Sequence, residues 1–135
     1  MEDCIFCKII KGEVPCKKIL ETEKTISFLD INPVTPGHIL IIPKEHYENI
    51  FETPDVILEE INTTCKKIAI LVKKKLNATG VNVLNSSGKD AQQEVFHLHY
   101  HVIPRYKNDT LKIHFNNNNK HKISTEEIYG KLISK

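Results

Sequence analysis

The stretch His97-Leu98-His99-Tyr100-His101-Val102-Ile103-Pro104 limits what this chain can become more than any other. Histidine alternates with an apolar or aromatic residue, and a period of two is the signature of extended backbone. On a strand, His97, His99 and His101 point to one face, while Leu98, Tyr100 and Val102 point to the other and enter a core. Side chains on the same face stand roughly 6.5–7 Å apart. A face that met only solvent would mix Thr, Lys, Ser and Glu. Three imidazoles on one rigid element point instead to a metal or to phosphate chemistry.

The rest of the chain must supply a sheet for that strand. At 135 residues it suits one domain with a real core. The formal net charge is +2 and the lysines are scattered, so composition demands no nucleic acid. The run Lys73-Lys74-Lys75 reads as a solvated helix face. The start, Met1-Glu2-Asp3-Cys4, lacks the apolar core of a signal peptide, and no apolar run approaches a membrane span. The expectation is a soluble, cytoplasmic protein with no membrane or nucleic-acid partner. In that setting its four cysteines are thiols or metal ligands rather than disulfides.

Cys4 to Gly12 reads as a short helix stopped by glycine. Lys17–Glu21 and Thr25–Asp30 read as strands joined by the turn Thr22-Glu23-Lys24. Asn32-Pro33-Val34-Thr35-Pro36-Gly37 is a rigid loop. His38–Pro43 is a strongly apolar strand. Thr53 is placed to cap a helix with Pro54 at its first position. Ile57, Ile61, Cys65, Ile68, Val72 and Leu76 then recur at helical spacing. Gly80 closes that connection, Val81–Asn85 is a strand, and Ala91–Val95 leads into the histidine strand. Asn116–Asn119 reads as a mobile loop, and Ser124 starts a short terminal helix. The strands mostly follow one another as hairpins. The fold class is α+β: an antiparallel sheet of about five strands, one long helix on one face and short terminal helices.

Unprotonated imidazole attacks phosphorus well and makes an N–P bond that water later cleaves. One histidine must offer a free nitrogen while its other nitrogen is held as a donor. Neighbouring imidazoles can then stabilise charge on the phosphoryl oxygens. The central member, His99, is the natural nucleophile. Zinc bound by all three is the rival, since His-x-His on a strand is a known zinc geometry. Spacing alone leaves the two nearly even.

The segment His97–Ile103 resembles the His-φ-His-φ-His-φ-φ motif of the histidine triad superfamily, where φ is apolar. Cys4–Ile10, Phe28–Pro33, Pro36–Lys44 and Ile103-Pro104-Arg105 follow the family's order, so the resemblance covers about residues 4 to 106 and leaves 107–135 as a variable tail of a single 1–135 domain. The branch looks like the nucleotide-binding, Hint-type one. The resemblance implies a homodimer in which the long helix and the strand ending near Asn85 face the partner. It also implies a purine nucleotide such as AMP as ligand. It casts His99 as nucleophile at the α-phosphate, His101 as phosphate partner and His38 as support from the neighbouring strand. Asp30 matches a ribose-binding carboxylate, Ile31 a wall of the base pocket and Asn85 a polar residue near the phosphate. Gln93, Glu94 and Val95 fall in the phosphate loop. Zinc-bearing members imply a structural site of Cys4, Cys7, His46 and His97, and no organic cofactor. The implied activity is a phosphoramidase or related nucleotide hydrolase working through a nucleotidyl-histidine. A dinucleoside polyphosphate hydrolase and a nucleotide-binding scaffold with little turnover are the alternatives. Two positions depart from the pattern: Gln92 stands where glycine is usual, and Glu94 where serine, a leaving-group contact, is often found.

Overall fold

The computed structural model describes residues 3–113, 115 and 123–135. Five strands form one antiparallel sheet, β1 (Lys18–Glu21), β2 (Thr25–Leu29), β3 (Ile39–Pro43), β4 (Gly80–Asn85) and β5 (Tyr100–Arg105), in the order β1-β2-β3-β5-β4. Helix α1 (Ile5–Ile10) precedes the sheet, α2 (Asp55–Leu76) links β3 to β4, and α3 (Thr125–Ile133) ends the chain. The expected fold class is borne out. The asparagine tract lies outside the described residues.

The order has a consequence for the site. β1, β2 and β3 are successive hairpin partners, but α2 carries the chain past the next position, and β5 inserts between β3 and β4. The histidine stretch therefore runs through the middle of the sheet. All five residues of β3 are buried, because both faces of this strand are covered. Ile39 and Ile41 pack with Ile57, Ile61, Ile68 and Val72 of α2, together with Leu98 and Val102. Leu40 and Ile42 pack on the other face with Phe6 of α1, Ile26 and Phe28. Leu40 pairs in register with His101, so His101 shares the α1 side.

Local details differ from the sequence reading in two places. β5 begins only at Tyr100, so His97, in a bend, and His99 lie in the approach to the strand rather than within it. Helix α2 is not capped by Thr53: Pro54 occupies the cap without a side-chain hydrogen bond, and Thr53 Oγ1 donates to the Asn49 carbonyl at 2.7 Å. The same helix runs to Leu76, as its apolar spacing predicts, and the left-handed backbone of Asn77 (φ 59°) turns the chain after it. In the proline-rich loop, Gly37 is favoured by conformation, and a side chain there would also push Leu76 aside. Its φ is +86°, and a Cβ there would lie 2.5 Å from Leu76 Cδ1.

Candidate active site

His97, His99 and His101 do point alternately away from Leu98 and Val102, but the three imidazoles divide into two groups. Each is fixed by where its second nitrogen finds a partner. His99 Nδ1 is 2.8 Å from the His97 carbonyl. A carbonyl only accepts, so Nδ1 carries the proton and Nε2 keeps a free lone pair. Burial holds His99 below the ordinary imidazole range, outweighing that hydrogen bond, so the neutral, nucleophilic form prevails near neutral pH.

His101 is set by a relay. The Val34 amide donates to His38 Nδ1 at 3.2 Å, so the proton of neutral His38 sits on Nε2. That atom donates to His101 Nδ1 at 2.8 Å and lies 3.6 Å from Asp30 Oδ2. His101 Nδ1 is therefore an acceptor, and its remaining proton is on Nε2, free to donate to a ligand. Burial, with the neighbouring His99 and His38 rings, lowers His101 to about 4. Burial likewise lowers His38. The pair thus comprises a ring nitrogen with a free lone pair and an N–H free to donate, on rings with centroids 5.1 Å apart.

His97 belongs elsewhere. Its Nε2 donates to the Pro43 carbonyl at 2.9 Å, which leaves Nδ1 as a lone pair. Nδ1 lies 3.4 Å from Cys4 Sγ, 3.6 Å from Cys7 Sγ and 3.1 Å from His46 Nδ1, while Cys7 Sγ is 3.3 Å from His46 Nδ1. All four donors lie within 4.8 Å of one another. Tetrahedral zinc, with bonds of about 2.05 Å to nitrogen and 2.3 Å to sulfur, has donor–donor edges of about 3.4–3.8 Å. The four-residue cluster fits that geometry. Cys4 also caps α1, accepting from the Cys7 amide at 3.4 Å. Burial, then a hydrogen bond with Cys4 and its charge, raise the Cys7 thiol. A cation held between them would favour the thiolates. Burial lowers His97 to about 4, which keeps it in the ligating form.

A cleft of about 670 Å³ opens over the pair; Asp30, Ile31, Gln93, Glu94, Val95, His99 and His101 all line it. A family model, the HIT domain, matches residues 11–108. The chain belongs to the HIT family. The adenosine 5'-monophosphoramidase of Candida albicans is 48% identical over 106 residues, covering 76% of this chain and 70% of that protein. A crystal structure of a HIT family protein from Bacillus anthracis covers 97% of this chain and 93% of its own, at 40% identity and a TM-score of 0.85. A zinc-bound histidine triad protein from Mycobacterium smegmatis covers 97% and 90%, at 35% identity and a TM-score of 0.80.

Within this HIT domain, two of the expected site residues hydrogen-bond to the protein's own backbone. Asn85 Nδ2 donates to the His99 carbonyl at 3.1 Å, so it holds the backbone of His99 from β4. Gln93 is buried. Its amide donates to the Glu48 and Val95 carbonyls at 2.7 and 3.0 Å and accepts from the Gly88 amide at 2.8 Å, so the side chain braces the loop. Gln92 adopts φ 69°, a conformation suited to glycine, and its side chain is exposed. Phe6 escaped the sequence reading. It lines the cleft and meets His99 edge-on at 5.2 Å and His97 at 5.8 Å. Its one signal was an apolar position enclosed by the two cysteines.

Proposed function

We propose that this HIT protein hydrolyses adenosine-type nucleotides at the α-phosphate, as a phosphoramidase working through a nucleotidyl-histidine at His99. The observation that carries this is the fixed tautomer pair. His99 Nε2 is free because Nδ1 is bound to the His97 carbonyl, and His101 Nε2–H is free to donate because Nδ1 is held by His38. One attacks phosphorus while the other donates to a phosphoryl oxygen, and both roles are realised without reorganisation. The identity to a named monophosphoramidase supports the substrate class. Asp30 accepts the ribose hydroxyls, Ile31, 91% exposed, covers the base, and Asn85 keeps His99 in place.

Cys4, Cys7, His46 and His97 hold structural zinc in this reading. The ion would tie α1 to the carbonyl end of β3 and fix the backbone whose His97 carbonyl orients His99. The assembly is a homodimer, with α2 and β4 toward the partner. The support is a set of apolar side chains left exposed on those elements: Val56, Ile70, Val83 and Leu84.

The test is single-turnover hydrolysis of adenosine 5'-monophosphoramidate with acid-quench detection of a protein-bound nucleotide. His99→Ala should lower the rate by several decades and abolish the covalent species while AMP binding survives. A variant that keeps more than a tenth of wild-type turnover refutes the role of His99.

A further inference from the structure

The main cleft does not end at the histidines. A second hollow of about 450 Å³ adjoins it, and Ile5, Glu94 and Val95 line both, whereas Asp30 and Ile31 line only the first. Under the reading above, the nucleoside lies toward Asp30 and Ile31 and the phosphorus lies by His99 and His101. The remaining substituent on phosphorus, the leaving group, then extends past Glu94 into the second hollow.

The charge along that path is one-sided. No lysine or arginine lines either hollow among the described residues. Glu94 is exposed at their junction, and Glu48 and Asp3 line the second hollow beyond it; Cys4 and His46 are also on its wall, where the thiolates of Cys4 and Cys7 would offset the charge of a divalent ion. The apolar side chains of Ile5, Val95 and Phe96 line the same hollow. Such walls suit a short hydrocarbon stem ending in a positive charge. A leaving group that carries phosphates would bring several negative charges beside Glu94 with no lysine or arginine of the described residues to compensate them.

We propose that Glu94 is the specificity-determining residue on the leaving-group side, selecting phosphoramidates of cationic alkylamines and disfavouring anionic leaving groups such as nucleoside polyphosphates. This rests on the hydrolase reading above. The chemistry balances. His99 Nε2 forms a bond to phosphorus as the P–N bond breaks, and the departing nitrogen keeps that electron pair and takes a proton from water. A water molecule then attacks phosphorus, the P–Nε2 bond breaks, and the net products are the amine and the nucleoside monophosphate. Glu94 forms no bond in either step; its charge acts on the amine's remote cation.

The experiment compares kcat/KM for three adenosine 5'-phosphoramidates of equal chain length, whose amines end in a quaternary ammonium, a tert-butyl group or a carboxylate. Diadenosine tetraphosphate is run alongside. The quaternary and tert-butyl groups have the same shape, so their ratio reads charge alone. Wild type should favour the cation over its neutral twin by about 5-fold or more at low salt and should disfavour the carboxylate. The preference should shrink as salt rises. Glu94→Gln should bring the cation-to-neutral ratio close to one, and Glu48→Gln should reduce it less. Turnover of all three amidates at equal rates, or a ratio unmoved by Glu94→Gln, overturns the proposal while leaving the hydrolase reading intact. Faster cleavage of the tetraphosphate than of the cationic amidate also overturns it. Loss of turnover on every substrate sinks both.

Discussion

His101 offers a measurement of whether the relay holds it neutral. Its folded value of about 4 compares with 6.5 for free imidazole. A depressed value means that the unfolded chain binds the proton more readily. Stability from this group is therefore complete above about pH 6.5 and is lost as pH falls toward 4. Between pH 7 and 5 the unfolded histidine gains about 1.9 kcal/mol from protonation and the folded one less than about 0.1, so folding weakens by about 1.8 kcal/mol. The side chain is partly exposed, and solvent screening trims this to about 1–2 kcal/mol. His101→Asn isolates the contribution: its Oδ1 takes the place of Nδ1 and still accepts from His38 Nε2, but it does not titrate. Urea unfolding of both proteins at the two pH values, at the same zinc concentration, gives the double difference. Wild type should lose about 1–2 kcal/mol more than the variant. Equal losses would refute the claim that burial and the His38 contact keep His101 neutral.

Other expectations follow from single contacts. Gln92→Gly removes a left-handed strain of about 1–2 kcal/mol and restores about 0.5–1 kcal/mol of unfolded-state freedom, so the urea midpoint should rise by the equivalent of about 0.5–1 kcal/mol; a lower midpoint would show that the exposed side chain has a partner in solution. Asp30→Ala should weaken ribonucleotides by about 1.5–3 kcal/mol and deoxyribonucleotides by less, measured by calorimetry; equal losses would exclude ribose binding. Purified protein should carry close to one zinc per chain, and Cys4→Ser should lose it and lower the melting temperature, with a smaller effect on the chemical step than His99→Ala. Metal-free protein as stable as zinc-loaded protein would refute the site.

The sequence by itself determined which residues could be partners. The period-two alternation from His97 to Val102 sets imidazoles and core residues on opposite sides, and that follows from backbone pleat alone. The recurrence of Ile57, Ile61, Ile68 and Val72 made α2 legible for the same local reason. Cys4 and Cys7, one helical turn apart, were visible as a chelating pair. The HIT pattern linked Asp30, His38 and the triad across the chain, which no local period could do.

Only the tertiary structure decided which nitrogen of each histidine is left free. The three imidazoles are alike in sequence, and a ring's chemistry depends on which nitrogen holds the proton. That choice is made by acceptors and donors elsewhere: the Pro43 carbonyl for His97, the neighbouring backbone for His99, and Val34 acting through His38 for His101. The strand start at Tyr100 and the positive φ of Gln92 were equally hidden. Both are settled by how far β5 can pair with β3 and by how tightly the loop must turn before it. Local preferences at those residues did not oppose an extended strand through His97, nor mark Gln92 for a turn. Long-range hydrogen bonding overrode them, because a buried backbone group left unpaired costs more than a propensity of a few tenths of a kcal/mol.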